Sequence, residues 1–311
     1  MILAVDTSCY TTSMIVIAYD SGQILFELNK NLAVKPGERG LRQSEGFFQH
    51  VHQLTTSFEA LSRSVDVKKI RAIAVSSRPR PLENSYMPVF HAGLLFCTNI
   101  ANALGVPLGM YSHQEGHLMA AIRTSGLNLC PELFYGLHLS GGTTEILKVK
   151  TLDDGFEETL IGGTLDLNFG QLIDRIGVKL GLPFPCGKEM DALAKLQPHD
   201  DAYKMKLKTD LTFNLSGLEN KYVQLIETHS ASYICSHIFN TIAGILIQLI
   251  KPLPSDIPVV LSGGVASNSL ICNLLERKLK DRALYFAMPE YARDNALGIA
   301  ELYRRKLIKE L

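Results

Sequence analysis

Apolar runs long enough for strands alternate with helix-length segments along the whole chain. The first half opens with I-L-A-V-D (2–6), S-M-I-V-I-A-Y (13–19) and I-L-F-E-L (24–28). Strands in such quick succession after a tight turn predict an antiparallel start. A helix is predicted over 45–63, a buried strand over 70–76, a helix over 88–104 and a strand over 106–111, followed by a helix containing H-Q-E-G-H-L-M-A-A. The second half begins again with strand patterns at 134–145, 144–150 and 156–162. Helical patterns follow near 168–180, 188–196, 217–228 and 231–250, then strand 257–264, helix 267–280, strand 284–289 and helix 295–308. The repeated opening predicts an internal duplication of β-β-β-α-β-α units. Loop composition changes at T-S-G-L-N-L-C-P (124–131), which places two α/β lobes at 1–128 and 129–311.

Composition adds constraints rather than a function. The chain has 311 residues, 46% hydrophobic and 20% charged, which describes a folded globular protein with a large core. Its formal net charge is zero, so a nucleic-acid partner would need a local basic face. Arg78, Arg80, Lys204, Lys206 and Lys208 are candidates, although solvated surface explains them as well. Cys9, Cys97, Cys130, Cys186, Cys235 and Cys272 are scattered without a C-x-x-C pair, which fits reduced thiols and a cytoplasmic setting. The start M-I-L-A-V-D-T-S has no basic leader region, and the apolar stretch Ile242–Ile250 is too short to span a bilayer and contains Gln248. No membrane association is expected.

Candidate chemistry begins at His113 and His117. Four residues are about one helical turn, so both imidazoles project from one helix face and can reach one metal ion. The spacing alone fits two polar residues on a solvated face better than a metal site. Three turns have the composition of anion sites. Thr7, Ser8 and Thr11 lie in D-T-S-C-Y-T-T; L-S-G-G-T-T contains Leu139, Ser140, Gly141, Gly142 and Thr143; L-S-G-G-V-A-S-N contains Gly263, Gly264 and Asn268. Glycines there let the backbone approach a phosphate closely, though Gly-Gly turns are also common for conformational reasons alone.

Taken in order, these motifs resemble the TsaD family, the tRNA adenosine-37 threonylcarbamoyltransferases. The family's H-x-E-G-H is H-Q-E-G-H here, its S-G-G-H-T is S-G-G-T-T, and its L-G-L-x-Y-P-G-G is L-G-L-P-F-P-C-G. F-N-L-S-G-L-E, G-G-V-A-S-N and R-D-N-A-L-G-I-A continue the series to residue 300. The resemblance implies a duplicated fold of the actin, Hsp70 and sugar-kinase type, with a nucleotide cleft between two lobes. It implies transfer of threonylcarbamoyl from threonylcarbamoyl-AMP to N6 of adenosine 37 in tRNAs reading ANN codons. It also implies a divalent metal on His113, His117 and Asp294, with Fe²⁺ favoured and Zn²⁺ as alternative, although Asp294 also suits the N-cap of the last helix. Nucleotide or acyl-adenylate contacts would fall on Leu139, Ser140, Gly141, Gly142, Thr143, Asp174, Gly187, Asp191, Gly263, Gly264 and Asn268. Implied partners are tRNA and TsaB-like and TsaE-like subunits, including a heterodimer. Cys186, replacing a glycine of the family pattern, reads as a small filler.

A zinc peptidase is the competing enzyme class. Its H-E-x-x-H motif puts the glutamate beside the first histidine, whereas Glu115 lies two residues past His113, about 200° around the helix. Three segments depart from the family pattern. Tyr10 and Thr11 replace acidic positions in the first turn, the A-S-R-x-H start survives only as Ser44 and His50, and R-P-R-P-L-E-N-S-Y-M-P lacks the family's glycines. These departures support an alternative: a non-catalytic paralogue that binds nucleotide and serves the same pathway as a scaffold.

Overall fold

The computed structural model describes residues 1–8, 10–34, 41–127 and 129–310. Cys9 of the first turn, and Asn128 and Leu311 at the expected lobe limits, lie outside the described residues. The chain forms two compact units: Met1–Thr124 with Thr151–Glu157 and Arg293–Leu311, and Ser125–Lys150 with Glu158–Ala292.

Elements are numbered in chain order over both units. The first unit has strands β1 (Ile2–Thr7), β2 (Thr11–Ile17), β3 (Ile24–Asn31), β4 (Ala72–Arg78) and β5 (Leu108–Ser112), ordered β3-β2-β1-β4-β5. β1 pairs antiparallel with β2 and parallel with β4. Every residue of β1 and β2 is buried, whereas edge strand β3 alternates, as expected for strands covered on both faces and on one. Helices α1 (Gln43–Ser64) and α2 (Phe90–Leu104) cover one face, where Leu3, Val5, Ile73 and Val75 join Leu54, Leu61, Ala92 and Cys97 in one core. The pleat turns Asp6 and Ser76 to the opposite face. Helices α3 (His113–Thr124) and α9 (Leu297–Lys309) pack there. Strand parity alone therefore puts Asp6 under the histidine helix.

The second unit has β6 (Leu133–Leu139), β7 (Thr144–Thr151), β8 (Phe156–Thr164), β9 (Thr212–Phe213), β10 (Val259–Ser262) and β11 (Leu284–Phe286). Its order is β11-β10-β6-β7-β8-β9, so β8-β7-β6-β10-β11 repeats the first sheet. The expected duplication is present. Two-residue β9, an addition parallel to β8, is too short to leave a periodic signal. Helices α4 (Phe169–Lys179), α5 (Gly187–Ala194), α6 (Ser216–Ile226), α7 (Ala231–Ile250) and α8 (Ser269–Lys278) complete the unit. Helix α7 extends the apolar stretch to 20 residues, long and apolar enough to cross a bilayer, but its most apolar window is 78% buried in the protein. Ile234, Ile238, Ile242, Leu246 and Leu249 make it the central core helix of this unit.

Candidate functional site

The sequence S-H-Q-E forms a capping box at the start of α3. The Ser112 N–H and hydroxyl donate to Glu115 Oε2, both at 2.7 Å, and the Glu115 N–H donates to Ser112 Oγ at 3.2 Å. Glu115 Oε1 accepts the Phe156 N–H at 3.1 Å, which ties the segment Thr151–Glu157 to α3. Tyr111 and Lys306 reinforce that tie by bonding Asp154 at 2.7 and 2.6 Å. Glu115 is buried, and its carboxylate is fully used in positioning backbone. Glu115→Ala is expected to strand two buried N–H donors and cost about 3 kcal/mol of stability, measured by urea unfolding. A peptidase base at this position would instead lose activity without loss of stability.

Close helix packing brings the third residue in. A Cβ on Gly298 would collide with the Gly116 carbonyl and lie 2.8 Å from the Ala120 nitrogen, so α9 crosses α3 nearly backbone to backbone. The chain just before α9 therefore runs past the histidine face. Asp294 does not take the second role its position also suited: Ala296 is the N-cap of α9, and Asn295 Oδ1 accepts the Leu297 N–H at 3.0 Å. That leaves the Asp294 carboxylate to face the imidazoles.

His113 Nε2 and His117 Nε2 lie 3.0 Å apart, and each is 3.4 Å from Asp294 Oδ1. One ligand atom from each residue falls within 4.8 Å of the others, close enough to share one ion. Behind His113, its Nδ1 sits 3.2 and 3.1 Å from the two carboxylate oxygens of Asp6, which is fully buried and also accepts the Ser76 hydroxyl. Burial pushes the His113 imidazole towards its neutral form, but the Asp6 and Asp294 carboxylates outweigh it and hold its pKa well above the ordinary value. Burial and the His113 charge push His117 down. Burial raises Asp294, yet hydrogen bonds from both histidines take it well below the carboxylate range. In metal-free protein the carboxylates thus favour a proton on His113, beside the point where the donor atoms converge. Two imidazoles and a carboxylate form a donor set suited to Fe²⁺ or Zn²⁺, so the residues fit a divalent metal replacing that proton.

Of the three first-turn hydroxyls read as anion donors, Thr7 and Thr11 are engaged by protein, whereas Ser8 Oγ is buried with no hydrogen-bond partner among the described residues. Thr7 Oγ1 donates to the Val89 carbonyl and accepts the Gly93 N–H, both at 3.1 Å. Thr11 Oγ1 reaches Asn31 at 3.5 Å. Buried His50 spans the turn, with Nε2–H donating to the Ser8 carbonyl and Nδ1 accepting from Thr12, both at 2.7 Å.

In the second unit, the β6–β7 turn closes through a Ser140 N–H to Thr143 carbonyl bond of 2.8 Å. Gly141 and Gly142 are exposed, with open space where a Cβ would project. The turn rests on the start of α4, where a Cβ on Gly170 would lie 2.6 Å from Gly141 Cα. Gly263 has φ +92°, and a Cβ there would lie 2.6 Å from the Leu139 carbonyl carbon. The Leu139 carbonyl accepts the Val265 N–H at 3.0 Å, which joins the two glycine turns. Gly264 is also open. Asn268 caps α8 through Oδ1 and donates from Nδ2 to Asp191 Oδ1 at 2.7 Å. Asp174 Oδ1 accepts the Cys186 N–H at 2.8 Å, one residue before Gly187 begins α5. Burial raises the Asp174 carboxyl. Cys186 is fully buried against Gly177 and Met190, and its thiol is pushed up to about 11 by burial and nearby carboxylates. It is a packing residue.

The family model for TsaD, tRNA N6-adenosine threonylcarbamoyltransferase, matches residues 44–301. The chain belongs to the TsaD family. It is 29% identical over 314 residues to the enzyme of that name from Streptococcus suis strain 05ZYH33, spanning 96% of this chain and 90% of that protein. With the Streptococcus equi subsp. zooepidemicus strain MGCS10565 protein of the same name, identity is 30% over 321 residues, covering 96% and 89%. Among solved structures, T. kodakarensis HypF aligns with TM-score 0.61 at 13% identity, covering 99% of this chain and 48% of that one. Component A of the Acidaminococcus fermentans (R)-2-hydroxyglutaryl-CoA dehydratase gives 0.55 at 15%, covering 99% and 98%. These show the fold, a duplicated α/β architecture of the actin, Hsp70 and sugar-kinase type. TsaD membership implies divalent-metal and nucleotide binding, and the His113–His117–Asp294 group could hold the metal. Sequence reasoning passed over Ser76, and placed Asp6 and His50 only in the first turn and a family motif, not beside His113. The available signal was an ionisable residue near the end of a wholly buried apolar strand.

Proposed function

We propose that this TsaD-family chain transfers the threonylcarbamoyl group from threonylcarbamoyl-AMP to N6 of adenosine 37 in tRNAs reading ANN codons. The observation that carries the proposal is the convergence of His113, His117 and Asp294 within one ion's reach. These three would hold a divalent metal, Fe²⁺ by family resemblance, with Zn²⁺ also compatible with the donors. When bound, the metal supplies Lewis-acid polarisation. The remaining work belongs to the chain. The exposed Ser140–Thr143 turn would place a phosphate, and Gly264 would let the backbone approach it. Asp174 and Asp191 would accept from ribose hydroxyls, with Asn268 holding Asp191 in position. Fixing the acyl carbon beside a poor amine nucleophile removes much of the entropic barrier. The acyl C–N bond forms as the acyl–phosphate C–O bond breaks, and AMP leaves with its phosphate taking up the N6 proton. In this reading the first lobe carries the metal and the second the nucleotide, in the cytoplasm, with TsaB-like and TsaE-like partner subunits in a heteromeric assembly.

A second reading has one specific support. Tyr10 and Thr11 replace acidic positions of the family pattern, and Thr7 and Thr11 already bond protein groups. A nucleotide-binding scaffold would tolerate both. Complementation of a TsaD-depleted strain separates the readings. Wild type is expected to restore growth and threonylcarbamoyl-adenosine in tRNA, and His113→Ala is expected to fail. Absence of rescue by well-expressed wild type together with its cognate partners favours the scaffold.

A further inference from the structure

We infer that Asp6 is a positioning residue for the metal centre: it fixes the tautomer and ring orientation of His113 so that Nε2 presents its lone pair to the ion. The inference rests on the proposed metal role of His113, His117 and Asp294, and extends it to a residue on a different element.

The geometry is specific. Asp6 is the penultimate residue of β1, and its even position in the strand turns the side chain away from the α1–α2 core towards α3. Both carboxylate oxygens lie within 3.2 Å of His113 Nδ1. Ser76 stands on neighbouring strand β4, next in register after the Val5–Val75 pair, and its hydroxyl donates to Asp6 Oδ1. The Ser76 hydroxyl and the His113 imidazole thus both hydrogen-bond Asp6 Oδ1, while Oδ2 lies 3.1 Å from the same Nδ1. It has no exposure to solvent, and the ion-pair partner found for it among the described residues is His113. A buried carboxylate needs compensation by positive charge. Here the charge reaches it through an imidazole ring whose far nitrogen faces His117 and Asp294.

A neutral histidine carries one N–H, and the acceptor it meets determines which nitrogen bears it. With Asp6 accepting at Nδ1, Nε2 is left as the donor atom. A carboxylate behind a ligating histidine also raises the ring's basicity, and removing such a partner typically weakens metal binding about 10–100-fold. Asp6 would not touch the metal or substrate; it would act through His113.

The test uses the full chain, loaded anaerobically with Fe²⁺ or with Zn²⁺ alone. Asp6→Asn keeps the side-chain shape but removes the charge and places an amide where the acceptor stood. Titration against a competing chelator is expected to show metal binding weakened about 10–100-fold while the thermal melting of the metal-free protein changes little. Binding within twofold of wild type overturns the inference. The Zn²⁺ form of wild type supplies a check that needs no variant. Nitrogen NMR is expected to show His113 protonated at Nδ1, with a strongly hydrogen-bonded proton, and unprotonated at Nε2. The opposite tautomer overturns the inference even if Asp6→Asn fails to fold. His117→Ala keeps the two failures apart: if wild type and His117→Ala bind metal equally, the three-residue metal reading fails. If only Asp6→Asn matches wild type, that reading stands and the role of Asp6 falls.

Discussion

Anaerobically purified His117→Ala protein is expected to lose its stoichiometric metal, with threonylcarbamoyl transfer falling about 10³-fold or more. His117 is the most enclosed of the three donors, 3% exposed against 17% for His113 and 24% for Asp294. Its loss leaves one imidazole and one carboxylate, too few to fix a catalytic metal that normally keeps three protein ligands. Lewis-acid polarisation is worth several kcal/mol of transition-state stabilisation, and each 1.36 kcal/mol is tenfold in rate. Elemental analysis and a reconstituted transfer assay read the two effects separately. Full metal occupancy in the variant would remove His117 from the ligand set. Full activity without metal would remove the metal from the reaction.

The second large effect is expected far from any donor atom. Gly298→Ala should lower stability by about 3 kcal/mol, the upper end for overpacking, and the melting temperature by about 6 °C or more. The added methyl would meet the Gly116 carbonyl, and the Ala120 nitrogen at 2.8 Å, both main-chain atoms of α3 that cannot turn aside as a side chain would. Relief requires α9 to move away from α3, and Asp294 moves with it. Metal affinity is therefore expected to fall at least tenfold although every ligand remains. Calorimetry and chelator competition measure the two losses. Unchanged stability would mean that the helices do not cross at this contact. Gly116→Ala is the milder companion, because its Cβ would meet the flexible Ile299 side chain at 2.9 Å.

Much of this was legible in the sequence because it depends on local order. The apolar runs gave the strands and helices of both units apart from β9, and the repeated opening gave the duplicated sheet order. His113 and His117 share a helix, so their proximity follows from helical rise alone. The spacing of Glu115 also argued against a peptidase, and its carboxylate proves to be engaged by Ser112 and Phe156 backbone groups. Where local reasoning failed, it failed on a choice between equivalent local roles. Asp294 and Asn295 are adjacent and both can accept from the first turn of a helix; only the fold gives that bond to Asn295.

By itself, then, the sequence determined the element order, the internal repeat, the paired histidines and the TsaD motif series. Tertiary structure decided what meets them. A chain segment 177 residues after His117 returns to the first unit because two glycines let α9 lie against α3. Asp6 meets His113 because strand parity sends it to the α3 face, beside Ser76. Neither contact leaves a periodic trace, since each joins elements distant in sequence whose meeting depends on packing distance and on which side of a sheet a residue faces.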